Sequence, residues 1–561
     1  MDTPSSAPGR RATGGDVLVS VMRRHGIDTA FGVVSIHNLP LVEAVARDLN
    51  FVEVRHEAAA VNAADGYARA SGRIGVALTS TGTGAGNAAG SMIEALTAGS
   101  RVLHVTGQIE SEYLTPEPAA SSRGVIHEFP RQRQMLDAVS RYAATITDAK
   151  DAEAELEAAI ARILSAPQGP ASVEWPTDLQ YLASPDEQRA AEARIAQPPA
   201  PNAAALDRAA AVLASAERPL LWLGGGAAGA GDELRALAHR LGAGILTSNS
   251  GRGIVSEDDD LVVGNFAASP EVAGLLADAD VLLAVGTHFR SNETKSYHLA
   301  LPATQVQIDI DPAAIGRVYP ATVGIVADAR TALRGILDAL DGTVRRDEWA
   351  ARVQAARKRS RAALTAYIGG YAEICEGMRR VLPRRSVVAR DVTIPSSQWG
   401  NRLLPFYERE TNIFPLGGGI GQGLAMGLGA AHARRDVPTV VMAGDGGLAV
   451  HLGELASLAG SDAWCVVLVF NDGGYGVLRN MQEANGFSRS GVDLHTPRFD
   501  LLAASMGMPY TLVQRSGVFE SALGEAIATR RPALVEVDVT ALDPQPGPFV
   551  PPVHVPTGGA R

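Results

Sequence analysis

Short apolar runs alternate along this chain with stretches whose apolar residues recur at helical spacing. A helix over Gly15 to His25 leads into a strand at Thr29, the polar turn Ser35-Ile36-His37-Asn38, and a helix over Leu39 to Asp48. Phe51 to Glu57 reads as a strand that delivers Glu57 to a helix whose buried stripe is Ala60, Val61, Ala64 and Ala68. Ile74 to Ser80 is a buried strand running into the turn Gly82–Asn87 and then a helix, and Arg101 to Val105 runs into Thr106-Gly107-Gln108. Strands and helices in alternation, with polar turns at strand ends, predict a parallel, doubly wound sheet.

The pattern then recurs. A helix over Ala205 to Ala214 precedes strands at Pro219, Gly244, Val281 and Val306, a Rossmann-like set. Farther on come a helix, the strand Val387 to Asp391, the strand-end turn Ile394 to Trp399 and the glycine-rich entry Leu416 to Gly423. Two more strands, Val440 to Met442 and Val466 to Phe470, end in Gly444-Asp445-Gly446-Gly447 and Asn471-Asp472-Gly473-Gly474. The predicted fold class is α/β, with three Rossmann-like, doubly wound parallel-sheet domains over 14–185, 195–345 and 366–545. A charged, proline-ended linker covers 186–200, and 546–561 is a proline-rich tail, either a disordered end or a lid.

Composition narrows the function classes. At 561 residues the chain exceeds one core, and 46% apolar with 20% charged residues describes an ordinary globular protein. A formal charge of −11 with no basic stripe argues against a general nucleic-acid binder. Cys375 and Cys465 lie far apart in apolar company, which fits a reducing compartment. The first dozen residues lack the apolar stretch of a signal peptide and no run is long enough to span a bilayer, so a cytoplasmic location without membrane contact is expected.

The candidate chemistry sits in the last pair of turns. In a parallel α/β unit both fall at the carboxyl ends of their strands, where ligands bind. Two carboxylates (Asp445 and Asp472), the Asn471 amide and bare glycine backbone suit Mg²⁺ and a diphosphate. A helix N-terminus following Gly447 would add its partial positive charge.

These turns resemble the signature of thiamine-diphosphate enzymes, GDG followed some two dozen residues later by NN. Asp472, 27 positions after Asp445, stands where the second Asn is usual. Arg55-His-Glu57-Ala-Ala-Ala and Ala64-Asp-Gly-Tyr-Ala-Arg69 resemble the family's RHE-A-A…ADGYAR element, and Gly82–Asn87 its pocket-wall turn. Leu416-Gly-Gly-Gly-Ile420-Gly resembles the turn in which an apolar residue props the cofactor into its bent shape. Together these place nearly the whole chain beside the pyruvate decarboxylase, acetolactate synthase and benzoylformate decarboxylase group, in the domain order pyrimidine-binding, middle, diphosphate-binding.

The resemblance implies Asp445, Asp472 and Gly474 as metal ligands. It implies cofactor contacts at Glu57, Ser396, Ser397, Gly418, Ile420, Gly444, Gly446, Gly447, Tyr475, Gly476 and Val477. Glu57 would hydrogen-bond the aminopyrimidine and promote its imino form. Some members hold FAD or ADP in the middle domain. Here Thr287-His-Phe-Arg-Ser-Asn292 loses the acidic pair and final Arg of the acetolactate synthase segment, which disfavours flavin.

Gln108 agrees with acetolactate synthases, but His127-Glu128-Phe129 replaces their Phe-Gln-Glu, and Met481 replaces a Trp. His37, His127 and Glu128 are the candidate proton handlers, and with Gln108 they join Glu57 as candidate catalytic residues. The implied reaction is Mg²⁺- and thiamine-diphosphate-dependent decarboxylation of a 2-keto acid, with the enamine intermediate protonated or added to a second carbonyl as in acetolactate synthases. Rivals are a non-decarboxylating acyloin lyase of the benzaldehyde-lyase type and a flavin-dependent 2-keto acid oxidase. Because the family's cofactor bridges two subunits, a homodimer or homotetramer is expected.

Overall fold

Three parallel sheets of six strands each organise the chain in a computed structural model that describes residues 12–114, 124–182, 194–340, 342, 346–547 and 549–550. The chain divides into two compact units. Met1–Ala196 forms the first together with Leu428–Ala433 and His451–Ser461, and the rest of the chain forms the second.

In the first unit the strands are β1 (Thr29–Gly32), β2 (Asn50–Glu53), β3 (Gly75–Thr79), β4 (Val102–Gln108), β5 (Tyr142–Thr145) and β6 (Ala171–Pro176), ordered 2-1-3-4-6-5. The chain reverses its direction across the sheet between β1 and β3, so a crevice opens at their carboxyl ends. Leu18, Leu41, Val76, Leu103, Val173 and Trp175 fill one core of this unit. The helix Glu57–Ser71 is capped by the His56 side chain and closed by left-handed Gly72. It is buried on nearly every face from Ala58 to Ala68, where one stripe was expected. The reason is close packing: a Cβ on Gly429 would lie 1.8 Å from the Ala63 carbonyl oxygen. Arg69 ties this helix to the helix Thr83–Ala98 by pairing with Asp65 at 2.7 Å and Glu94 at 2.8 Å.

The second unit holds two sheets. One contains β7 (Pro219–Leu223), β8 (Gly244–Thr247), β9 (Val262–Gly264), β10 (Val281–Val285), β11 (Thr304–Asp309) and β12 (Val323–Val326), ordered 12-11-10-7-8-9. Counted from its own first strand, this is the dinucleotide-fold order 3-2-1-4-5-6 read backwards. The other contains β13 (Val387–Arg390), β14 (Asn412–Ile413), β15 (Thr439–Gly444), β16 (Cys465–Asn471), β17 (Tyr510–Val513) and β18 (Ala533–Asp538). Its order, 14-13-15-16-18-17, repeats the first sheet strand for strand and puts its reversal between β13 and β15.

Two expected turns prove to be helix. The chain is already helical at Thr83 and again at Asp445, so Gly84, Gly86, Gly446 and Gly447 lie in first helical turns. Those glycines were read as turn-formers; the structure uses several of them for close approach instead. The linker and tail expectations fall largely on residues 183–193 and 551–561, outside the described residues. Among the described residues no helix is long and apolar enough to cross a membrane.

Candidate active site

Glu57 is the first residue of its helix, half-buried at the carboxyl edge of the first sheet. Asn87 donates from Nδ2 to its Oε2 at 3.0 Å. A Cβ on Gly84 would fall 2.8 Å from Oε1, so glycine there leaves room for the carboxylate. Asn87 was absent from the sequence-derived contacts. Its only signal was a polar residue closing a glycine run, and the run becomes the first turn of a helix pointed at Glu57.

The paired carboxylates stand on adjacent strands. Asp445 follows β15 and Asp472 follows β16, with the Asp472 amide donating to Asp445 Oδ1 at 3.3 Å. Asp445 Oδ2 and Asp472 Oδ1 are buried and have no hydrogen-bond partner. Burial raises the Asp445 carboxyl, and burial together with the Asp445 charge pushes Asp472 up to about 6. Two adjacent carboxylates with orphaned oxygens fit a hard divalent cation. Among the described residues no group of three or more His, Cys, Asp or Glu side chains is arranged for a metal. Glycines around the pair are obligatory: a Cβ on Gly476 would meet Asp472 Oδ2 at 1.9 Å, and one on Gly474 would meet the Val492 carbonyl oxygen at 2.1 Å. Gly446 is hemmed in the same way by Tyr475, at 2.7 Å, the residue that precedes the helix Gly476–Ala484 and so leads into Val477.

Across the reversal point, Ser396 and Ser397 lie in the single π-helical turn Ser396–Gly400. Ser396 is buried with an unpartnered Oγ, an available donor for an anion. Asp391, one residue past β13, accepts from the amides of Val392, Gly421 and Gly423 at 2.7, 2.9 and 3.2 Å. It thereby fixes the loop carrying Gly418 (φ 81°) and the partly exposed Ile420. Asp391 also escaped the sequence-derived contacts, although a polar residue ending an apolar strand was visible.

The proton-handling candidates separate into two kinds. His37 and His127 meet edge to face with ring centroids 4.9 Å apart. His37 is 6% exposed, its Nδ1 has no partner, and burial and the neighbouring His127 lower its pKa. Its backbone is gripped: Gln180 donates to its carbonyl at 2.7 Å, and a Cβ on Gly107 would sit 2.5 Å from that oxygen. His127 is held in the left-handed region at φ 69°. Gln108, by contrast, does not stand free toward a substrate. Its Nε2 donates to buried Glu174 at 3.0 Å and its Oε1 accepts from the Ile109 amide at 2.9 Å. Glu128 closes its own loop, accepting from the Gly124 and Val125 amides at 2.9 and 3.3 Å.

In the middle sheet, the glycines after β7 are used to pack loops. A Cβ on Gly224 would lie 2.1 Å from the Gly286 carbonyl oxygen, and one on Gly286 would lie 2.3 Å from Gly226 carbonyl carbon.

A doubly wound fold with a carboxylate past the edge strand of one sheet and paired carboxylates at the strand ends of another fits an enzyme of the diphosphate-cofactor class. Residues 12–135 match the N-terminal TPP binding domain, 206–336 the central domain and 395–537 the C-terminal TPP binding domain of thiamine pyrophosphate enzymes. The chain belongs to that family and is a thiamine-diphosphate-dependent enzyme. It is 31% identical over 504 residues, 89% of each chain, to a probable 2-ketoarginine decarboxylase, AruI, of Pseudomonas aeruginosa. It is 26% identical over 567 residues to a probable acetolactate synthase large subunit of Methanocaldococcus jannaschii, covering 96% of this chain and 93% of that one. An X-ray structure from Mycobacterium smegmatis, described as thiamin diphosphate-dependent, shares the fold with a TM-score of 0.77 at 23% identity, over 95% of this chain and 100% of that one.

Proposed function

We propose that this enzyme, with Mg²⁺, decarboxylates a 2-keto acid and releases the product as an aldehyde or joins it to a second carbonyl. The observation that carries the reading is the Asp445–Asp472 pair, whose orphaned, buried oxygens suit a cation bridging to a diphosphate. When bound, thiamine diphosphate supplies a nucleophilic carbon and an electron sink beside the substrate carbonyl. Glu57 would hydrogen-bond the pyrimidine and hold a proton there, and Asn87 keeps its carboxylate aimed. Ser396 and the first-turn amides at Gly446 and Gly447 would hold the diphosphate, and Ile420 would pack against the cofactor. His37, with an unpaired nitrogen, and His127 move the proton that completes product release. The relative named for 2-ketoarginine makes a keto acid with a guanidinium end the first substrate to try. Two copies of the chain form the working unit, each giving Glu57 to the carboxylate pair of the other.

The test is a panel of 2-keto acids (pyruvate, 2-ketoisovalerate, 2-ketoarginine) with thiamine diphosphate and Mg²⁺, with and without an added aldehyde. CO₂ and products are followed by mass for the wild type and Glu57→Gln. CO₂ release that the mutant loses supports the reading, and the product mass separates aldehyde from acyloin. Cofactor binding without CO₂ from any member, but with cleavage of an acyloin, would replace it with the lyase reading.

A further inference from the structure

Glu454 opens the short helix Glu454–Ala459, nine positions after Asp445 along the chain, and is 1% exposed. Both carboxylate oxygens accept from the backbone amide of Arg55, at 3.0 and 3.2 Å. The Ser457 hydroxyl donates to Oε2 at 2.7 Å, and the His56 amide also acts on the carboxylate. Among the described residues no guanidinium pairs with it, and the Arg55 side chain turns to Glu53 at 3.7 Å. Beside it the rings of His56 and His451 lie 5.1 Å apart, and His56 Nδ1 accepts from the Ala58 amide at 3.1 Å. A buried carboxylate is costly, and here it is offset by main-chain amides of the two residues before Glu57 and by the neighbouring His56 ring.

We propose that Glu454 is the positioning residue for Glu57. It fixes the Arg55–His56 turn, hence the entry angle of the helix Glu57–Ser71 and the Cα from which the Glu57 carboxylate reaches out. Asn87 holds the far end of that side chain and Glu454 holds the near end. The inference rests on reading Glu57 as the cofactor-activating group, and the test separates the two.

Glu454→Gln keeps the shape but turns a donor toward the Arg55 amide. With the cofactor at saturation, kcat is expected to fall by about ten- to a hundredfold with KM within about twofold, the scale of a misplaced reacting group. In a Glu57→Gln background the same change should do nothing further, because a residue acting through Glu57 has nothing left to act on. In the cofactor-free wild type, the Arg55 amide, which lies in a bend outside any strand or helix, should exchange hydrogen as slowly as the sheet amides. It should become fast in Glu454→Gln while the sheets keep their protection. Loss of kcat that multiplies in the double mutant, or a fast-exchanging Arg55 amide in the wild type, would overturn the proposal. The wild-type exchange measurement stands even where the variant fails to fold. If Glu57→Gln itself keeps full activity, the functional reading fails, while slow Arg55 exchange would still show the clamp.

Discussion

At the scale of single residues, space around Glu57 decides more than charge. A methyl group on Gly84 would meet the end of the flexible Glu57 carboxylate and, equally close at 2.8 Å, the fixed Ser80 Cβ. Gly84→Ala should therefore lower the melting temperature by a few degrees while kcat falls by about a hundredfold through displacement of Glu57. Loss of fold instead of rate would show that the glycine serves packing alone. The carboxylate pair makes a second prediction. Asp472 keeps its proton to about pH 6 in the metal-free fold, whereas an unfolded Asp releases it near ~4. The folded state thus binds more protons between these values, and the pair's contribution to stability falls as pH rises from ~4 to ~6. Mg²⁺ held by this pair would need both groups ionised. Its stabilisation, read as a shift in melting temperature, should be large at pH 8 and small at pH 5, and Asp472→Asn should raise the melting temperature of the metal-free protein at pH 8. Glu57, Asp445 and Asp472 were legible because each lies in a contiguous motif. Asn87 and Asp391 were not, because their partners, Glu57 and Gly421, are 30 positions away along the chain.

At the scale of elements, most interior strands were readable as apolar runs, and so were the helices between them. Of the missed strands, β9 at three residues and β14 at two are too brief to carry a period of their own. Interior β6 and β18, six residues each, were overlooked because Glu174 and Glu536 interrupt their apolar runs. The helix starts at Thr83 and Asp445 were misplaced because glycine signals a turn in sequence, whereas here it answers to a neighbour that a Cβ would strike. One device that holds these elements was invisible in sequence. Glu174 on β6, 1% exposed, accepts from Gln108 on β4 and from Gln132 Nε2 at 2.9 Å. Gln132 Oε1 in turn accepts from the Gly82 amide at 2.7 Å, at the start of the helix that carries Gly84 and Asn87. Burial raises the Glu174 carboxyl, so the donors around it are what keep it tolerable. Glu174→Leu strands those donors and should cost about 3 kcal/mol in denaturant unfolding, the scale of breaking a buried polar network. A change below about 1 kcal/mol would mean that water replaces the carboxylate without loss.

At the scale of the whole molecule, the first and third sheets share one strand order, yet they present different carboxylates at their strand ends. The first presents Glu57 past its edge strand β2; the third presents Asp391 and Asp445 at its reversal point. Each unit also leaves apolar side chains bare: Val34 (57% exposed), Ile36 (66%) and Ile126 (78%) in the first, Val450 (45%), Leu478 (49%) and Phe487 (66%) in the second. Exposed apolar groups are what a second copy would cover. If one copy's Glu57 serves another copy's carboxylate pair, two dead variants can repair each other. Glu57→Gln and Asp445→Asn, each inactive alone, should regain activity when dissociated and reassembled together. In a 1:1 mixture half the dimers are mixed, and each mixed dimer has one site with both groups intact, so activity should return to about a quarter of the wild-type value. No recovery from a mixture that sediments as dimers would mean that Glu57, Asp445 and Asp472 meet within one chain. The exposed apolar groups would then need another occupant.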